Sequence, residues 1–226
     1  MITWATKPVE TYLDALRTGD SRDRRQAAAA LEILGDRRAV GPLIAALGDE
    51  NAEVRGNVAR ALGRLGDALA VPALLTALHD PESAVHVHVV QALRRLSDHR
   101  AVAALIDALG DPDWTVRGDA AQALGDLGDA RAVGPLIQLL TEAAQDSNNA
   151  HRATIMGAIG KLGEPAVGPL IAALTDVHSG VRQLAALALV YPYDQRAVGP
   201  LTAALQDEDP TVRGFAAWTL HYLERA

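Results

Sequence analysis

A 31-residue segment recurs along almost the whole of this chain, and that period constrains the fold more than any other feature. Arg38-Ala39-Val40-Gly41-Pro42-Leu43-Ile44 has counterparts whose Ala-Val pairs begin at Ala70, Ala101, Ala132, Ala166 and Ala197, with a degraded earlier copy at Pro8-Val9. The spacings between pairs are 31, 31, 31, 34 and 31. A repeat of this length is one supersecondary unit that cannot hide its apolar surface alone. The chain is therefore expected to stack such units in an array, in place of a globule built around a single cleft.

Residues 37–67 show what one unit becomes. Asp36 is the expected N-cap, and Val40, Leu43, Ile44 and Leu47 follow at offsets of 3, 4 and 7, one face of a helix. Pro42 removes a backbone donor, so the helix either starts near Gly41 or is kinked there. Gly48-Asp49-Glu50-Asn51 then breaks the pattern and offers a second cap. Val54, Val58, Leu62 and Leu65 form the next apolar face, with Ala59 and Ala61 keeping that helix slim. Gly66 closes it in the left-handed conformation, and Asp67 caps the following unit. Each unit is thus a helical hairpin, and the chain is all-α. Seven units are expected, near 7–36, 37–67, 68–98, 99–129, 130–163, 164–194 and 195–226, forming one domain. In the fifth, the stretch 141–150 (TEAAQDSNNA) lengthens the inter-helix loop, either as a contact element or as an insertion such arrays tolerate. The many glycines fall at these punctuation points.

Composition excludes several function classes. Acidic residues outnumber basic ones by 28 to 21, for a net charge of −7, which disfavours a nucleic-acid binder, whose affinity rests on neutralising phosphates. Cysteine is absent, which removes disulfides, thiolate nucleophiles and cysteine-ligated metals. No apolar run is long enough to cross a membrane, and the start lacks a charged segment followed by an apolar one, so a cytoplasmic protein is expected. His79, His86, His88 and His99 invite a metal reading, but His86 and His88 sit two apart on a helix and point to different sides, and no His-Glu pair occurs. No glycine-rich phosphate loop and no nucleophile elbow occurs. The sequence therefore predicts no catalytic residue, no cofactor and no metal.

One string carries a family resemblance. Val116-Arg117-Gly118-Asp119-Ala120-Ala121-Gln122-Ala123-Leu124-Gly125-Asp126-Leu127-Gly128-Asp129, followed by Ala132-Val133-Gly134-Pro135-Leu136-Ile137, resembles the HEAT-like repeat named after phycobilisome lyases. The likeness covers nearly the whole chain and specifies fold more than function, because such repeats serve scaffolds, lyase subunits and enzymes alike. It implies a right-handed α-α superhelix, an α-solenoid, with first helices on the convex side and second helices lining the concave one. It also implies a ladder of ion pairs between repeats, from Arg24, Arg55, Arg117, Arg152, Arg182 and Arg213 to aspartates after the first helices (Asp49, Asp111, Asp176 or Asp207). His86 replaces the arginine in the third repeat and is expected to weaken the ladder there.

The resemblance also marks the variable concave positions. In the first four repeats these include Arg25, Asn57, Arg60, Arg64, His88, Gln91, Arg95, Asp119, Gln122 and Asp126. In the last three they include Gln183, Leu187, Tyr191, Phe215, Trp218 and Tyr222. Such a face is basic and amide-rich at its start, acidic in its middle, and apolar and aromatic at its end. Five of the eight aromatic residues (Tyr191, Tyr193, Phe215, Trp218 and Tyr222) fall in the last 36 positions, where they either bind a partner, seal the open end, or pair two chains into a homodimer. The leading expectation is a non-catalytic scaffold that binds a protein or peptide on its concave face. A bilin-lyase-like subunit or chromophore-protein chaperone is the alternative, and DNA binding a third, which Asp119 and Asp126 oppose.

Overall fold

The structure, a computed structural model, describes residues 8–145 and 150–224. Among these it holds fourteen α-helices and no strand, the composition of an α-solenoid. They run in sequential pairs: α1 (Val9–Thr18) with α2 (Ser21–Leu34), α3 (Val40–Ala46) with α4 (Ala52–Leu65), and α5 (Val71–Ala77) with α6 (Ser83–Leu96). The pairs α7 (Val102–Asp107) with α8 (Trp114–Leu127) and α9 (Val133–Gln145) with α10 (Ala150–Leu162) follow. The last are α11 (Glu164–Ala173) with α12 (Ser179–Ala188), and α13 (Val198–Ala204) with α14 (Pro210–Leu223). The helices gather into two compact units, Met1–Ala123 and Leu124–Ala226. In the first, α2 packs on α4 and α4 on α6; in the second, α10 packs on α12 and α12 on α14.

The repeated residues are the core of both units. The alanines of the Ala-Val pairs (Ala39, Ala70, Ala101, Ala132, Ala166 and Ala197) are completely buried, as are Leu43, Leu74, Leu105, Leu136, Leu170 and Leu201 four positions on. At roughly 25 cal/mol per Å² of apolar surface, each fully buried leucine contributes about 2 kcal/mol before chain ordering is counted.

Local chemistry sets the helix ends. Asp36, Asp67, Asp98, Asp129 and Asp194 each accept a hydrogen bond from the backbone N–H two residues later and open a single 3₁₀ turn before the α-helix proper. Pro42 consequently sits in the first turn of α3, where its missing N–H costs nothing, and no kink is needed. Gly163-Glu164-Pro165 omits this turn, and α11 begins directly at Glu164. Asn51 caps α4 by accepting from Glu53 N and Val54 N at 3.0 and 3.2 Å. Gly35, Gly66, Gly128 and Gly163 take positive φ at the hairpin ends, and at the equivalent places Ser97 and Tyr193 do so without being glycine.

Two sequence expectations are corrected. The first part of the insertion in the fifth repeat is helix, not loop: α9 continues to Gln145, with Ala143 buried and its carbonyl accepting from Arg152 Nε at 2.9 Å. Residues 146–149 lie outside the described residues. Nor are all the glycines punctuation. Gly63 and Gly125 lie inside helices, where the backbone of the next second helix leaves no room for a side chain.

Candidate functional site

The residues that recur at every repeat are committed to structure. Arg55 Nε and Nη2 donate to the two carboxylate oxygens of Asp80 at 2.6 and 2.8 Å, while Nη1 donates to the Asp49 and Glu50 carbonyls at 2.7 and 3.2 Å. The Arg55 guanidinium therefore ties its own hairpin turn to the next repeat. Arg24 makes the same pair with Asp49, and Arg182 with Asp207 at 2.8 Å. Asp80 joins the expected aspartates, and Asp176, like Asp49, Asp80, Asp111 and Asp207, accepts from the backbone N–H two residues later, at 2.8 Å from His178 N. His86 does not break the ladder. Its Nδ1 lies 2.8 Å from Asp111 and its Nε2 2.6 Å from the Asp80 carbonyl, so the ring spans both contacts an arginine would make.

A second device escaped the sequence reading. The capping aspartates Asp36, Asp98, Asp129 and Asp194 also receive the arginine two residues later in a forked contact. Arg38 and Arg196 then reach back one repeat to Glu10 and Glu164 at 2.6 and 2.7 Å. The signal was the string Asp-x-Arg-Ala-Val, which places a fork opposite a cap.

These pairs make stability sensitive to acid. The Arg182 guanidinium holds Asp207 below its usual 3.8; at Asp80 burial pushes upward, but the Arg55 hydrogen bonds and charge prevail and lower it too. The Arg100 fork brings Asp98 to about 2. A carboxylate lowered on folding stabilises above its unfolded value, and that contribution disappears as pH falls through the folded one. Burial, with Arg60 close by, lowers His88 below 6.5, so protonating it opposes folding. Urea unfolding is expected to show stability declining slightly below about pH 6.5 and steeply between about pH 4 and pH 2. His88→Gln should abolish the upper decline alone; a decline unchanged in that variant would exclude His88 as its source.

The candidate side chains of the first unit are largely engaged with one another. Arg25 pairs with Glu53. Arg60 Nε donates to Glu32 at 2.8 Å and its Nη2 to Asn57 at 2.7 Å, while Arg64 Nε reaches the other Glu32 oxygen at 3.1 Å. Gln91 donates to Asp119 at 2.8 Å, and Gln122 accepts from Arg94. His88 lays its ring over Gly56, where a Cβ would come within 2.7 Å of it. Arg95 is exposed. The structure thus brings these residues onto one layer as polar rungs between successive second helices, and the Arg64 and Arg95 heads are left toward solvent.

The second unit differs. Gln183 is held by Asp209 at 3.1 Å and Asp126 by Lys161, but the remaining candidates are apolar or aromatic. Trp218 and Tyr222 are 42% and 45% exposed, with ring centroids 4.5 Å apart and tilted by 48°. Beside Trp218 lies a recess of about 460 Å³ lined by Leu187, Thr211, Gly214 and Phe215. Tyr191, 50% exposed, rests its Cβ and ring on α10 at Gly160. Tyr193 serves the backbone instead. Its hydroxyl donates to the Tyr222 carbonyl at 2.7 Å, and Gln195 donates to that of Leu223 at 3.2 Å, so both cap the end of α14.

Larger recesses lie elsewhere and follow from the repeat. One of about 930 Å³ in the first unit and one of about 670 Å³ in the second place Pro42, Asp49 and Glu50, or Pro200, Asp207 and Glu208, around a ladder arginine. Their equivalence makes them grooves between neighbouring first helices. Among the described residues no cluster of three metal-ligating side chains occurs, and no helix is long and apolar enough to cross a membrane.

Compared with known proteins, the chain matches the family profile described as HEAT repeats over residues 9–85, 71–143 and 167–223. No curated protein sequence matches it. Among solved structures, the complex of CpcE and CpcF of phycocyanin lyase from Nostoc sp. PCC7120 is similar, with TM-score 0.62 and 26% identity over 97% of this chain and 88% of that one. YibA of E. coli has TM-score 0.57 and 19% identity over 98% and 94% of the two chains. An engineered protein has TM-score 0.57 and 20% identity over 96% and 68%. The last two likenesses concern the fold alone.

Proposed function

This chain belongs to the HEAT-repeat family, whose frame does not by itself fix a function, and we propose that it is a non-catalytic scaffold that binds a protein or peptide segment on its second-helix layer. The observation that carries this is the solvent-exposed pair Trp218 and Tyr222 beside the apolar recess at Leu187 and Phe215. Large, stiff aromatic side chains next to an apolar hollow are the usual anchors of an interface, since they bury much area for few frozen torsions. Tyr193 and Gln195 satisfy the Tyr222 and Leu223 carbonyls at the end of α14 without drawing on the Trp218 and Tyr222 side chains.

The proposal is tested by affinity capture from the native cell, comparing wild type with Trp218→Ala/Tyr222→Ala. Proteins retained by the wild type should fall at least tenfold with the variant, about 1.4 kcal/mol. The same proteins recovered equally with both would sink the proposal. Sedimentation settles the homodimer: a wild-type dimer that becomes a monomer in the variant assigns this surface to self-pairing instead.

A second reading is a lyase-like subunit, favoured by the 26% identity to the phycocyanin lyase complex and by the same recess. It requires that a bilin bind at the recess with Trp218 quenched, and that Trp218→Ala remove the binding. Absence of bilin binding by the wild type eliminates it.

A further inference from the structure

We propose that the first unit carries a separate recognition site for an acidic peptide segment, built from Arg64 of α4 and Arg95 of α6 and oriented by the buried carboxylate of Glu32. This rests on the second-helix layer being a binding surface, but it uses none of the aromatic residues of the second unit.

The geometry begins with Glu32. Its side chain is only 10% exposed, and two arginines of the following repeat meet it: Arg60 at 2.8 Å and Arg64 at 3.1 Å. Both use Nε. Arg60 spends a terminal nitrogen on Asn57, whereas Arg64, with a side chain 61% exposed, makes no further bond among the described residues. This ion pair draws the Nε edge of Arg64 toward Glu32 and leaves its two terminal nitrogens as an open fork. That is the shape that receives a carboxylate with two parallel hydrogen bonds. Holding the fork beforehand removes much of the rotamer entropy that an unanchored arginine loses on binding.

Arg95 stands 31 residues later, at the same position of the neighbouring helix, exposed and without an ion pair among the described residues. α4 and α6 pack directly on each other. Adjacent helix axes lie about 8–10 Å apart, close to the roughly 7 Å between alternate side chains of an extended strand. Two carboxylates two residues apart in an extended peptide can therefore meet both forks.

Charge selects the same class of partner. On this layer Arg25, Arg60, Arg64, Arg94 and Arg95 face Glu32, Glu53 and Asp119, a local basic excess in a chain whose net charge is −7. His88, next to Arg60, is held neutral more readily by burial and by that charge, consistent with a positive local field. The overall acidity of the chain opposes the long polyanion of a nucleic acid, whose binding would need many phosphate contacts.

The test uses a fluorescein-labelled peptide with two glutamates two residues apart, its glutamine counterpart, and labelled duplex DNA, measured by anisotropy at low salt with the full chain. Wild type should bind the glutamate peptide at least tenfold more tightly than either control. Arg64→Ala/Arg95→Ala should lose at least tenfold while keeping the wild-type helical circular dichroism, since Arg60 still pairs with Glu32. Glu32→Gln separates anchoring from charge. It makes the surface more basic, so simple attraction predicts tighter binding, whereas loss of the anchor predicts weaker binding, by at least threefold. Tighter binding by Glu32→Gln, equal binding of the glutamine peptide, or DNA binding lost with the same arginines would each overturn the site. Trp218→Ala/Tyr222→Ala should leave this affinity unchanged, so the two binding proposals fail independently.

Discussion

Truncating Arg55 to alanine is expected to destabilise the protein by about 3–5 kcal/mol, the usual cost of removing one member of a buried ion pair. The side chains of Arg55 and Asp80 are 11% and 6% exposed, and alanine at 55 would leave the Asp80 carboxylate with the Glu82 N–H but no cation, and the turn carbonyls of Asp49 and Glu50 without the guanidinium. Arg213 is the internal control. It holds the same position in α14 and caps the Asp207 and Glu208 carbonyls at 2.7 and 3.0 Å, but makes no ion pair among the described residues. Arg213→Ala should cost under about 1 kcal/mol, as an exposed hydrogen-bonding contact does. At roughly 2–4 °C per kcal/mol for a chain of this size, the two variants should separate by on the order of 10 °C in thermal melts. Adding Asp80→Ala to Arg55→Ala should recover part of the loss, because the stranded charge goes with it. If Arg55→Ala melts together with Arg213→Ala, the ladder is not what couples the repeats.

Gly63→Ala is expected to destabilise by about 1–3 kcal/mol, the range for overpacking a close-packed interface. Helix propensity predicts the opposite sign, since alanine inside a helix is favoured over glycine by about 1 kcal/mol. The difference is steric: a Cβ at Gly63 would lie 2.6 Å from Ala92 Cα and 2.8 Å from its Cβ, so two helix backbones would have to separate. Gly157, also within a helix, has nothing within 4 Å of such a Cβ, and Gly157→Ala should follow propensity and stabilise. Urea unfolding of both variants reads the two signs directly. A stabilised Gly63→Ala would mean that α4 and α6 are not in backbone contact there.

Much of the fold was legible because the repeat states the same physics several times. Ala39-Val40 or Leu43 alone would be an ambiguous apolar cluster, but their recurrence at one period fixes helix, turn and core together. The caps Asp36 and Asn51 and the closing Gly66 could likewise be read from residue type, since each answers a purely local need of the backbone. The insertion after Thr141 misled because its residues, Glu142-Ala143-Ala144-Gln145, are good helix formers, and α9 simply continued through them. The candidate site was legible only as a set of positions. Nothing in Arg60 or Gln91 announces that its partner is Glu32 or Asp119, because those partners lie 28 residues away on another helix.

By itself, the sequence determined the hairpin, the period and the packing residues, all consequences of local backbone preference and of the 31-residue recurrence. The tertiary structure decided which side chains remain available. Whether an arginine is a rung between repeats or an open fork depends on what the neighbouring helix sets opposite it. Glu32 opposite Arg60 and Arg64, backbone opposite Gly63, and the recess beside Trp218 exist only once the hairpins are stacked.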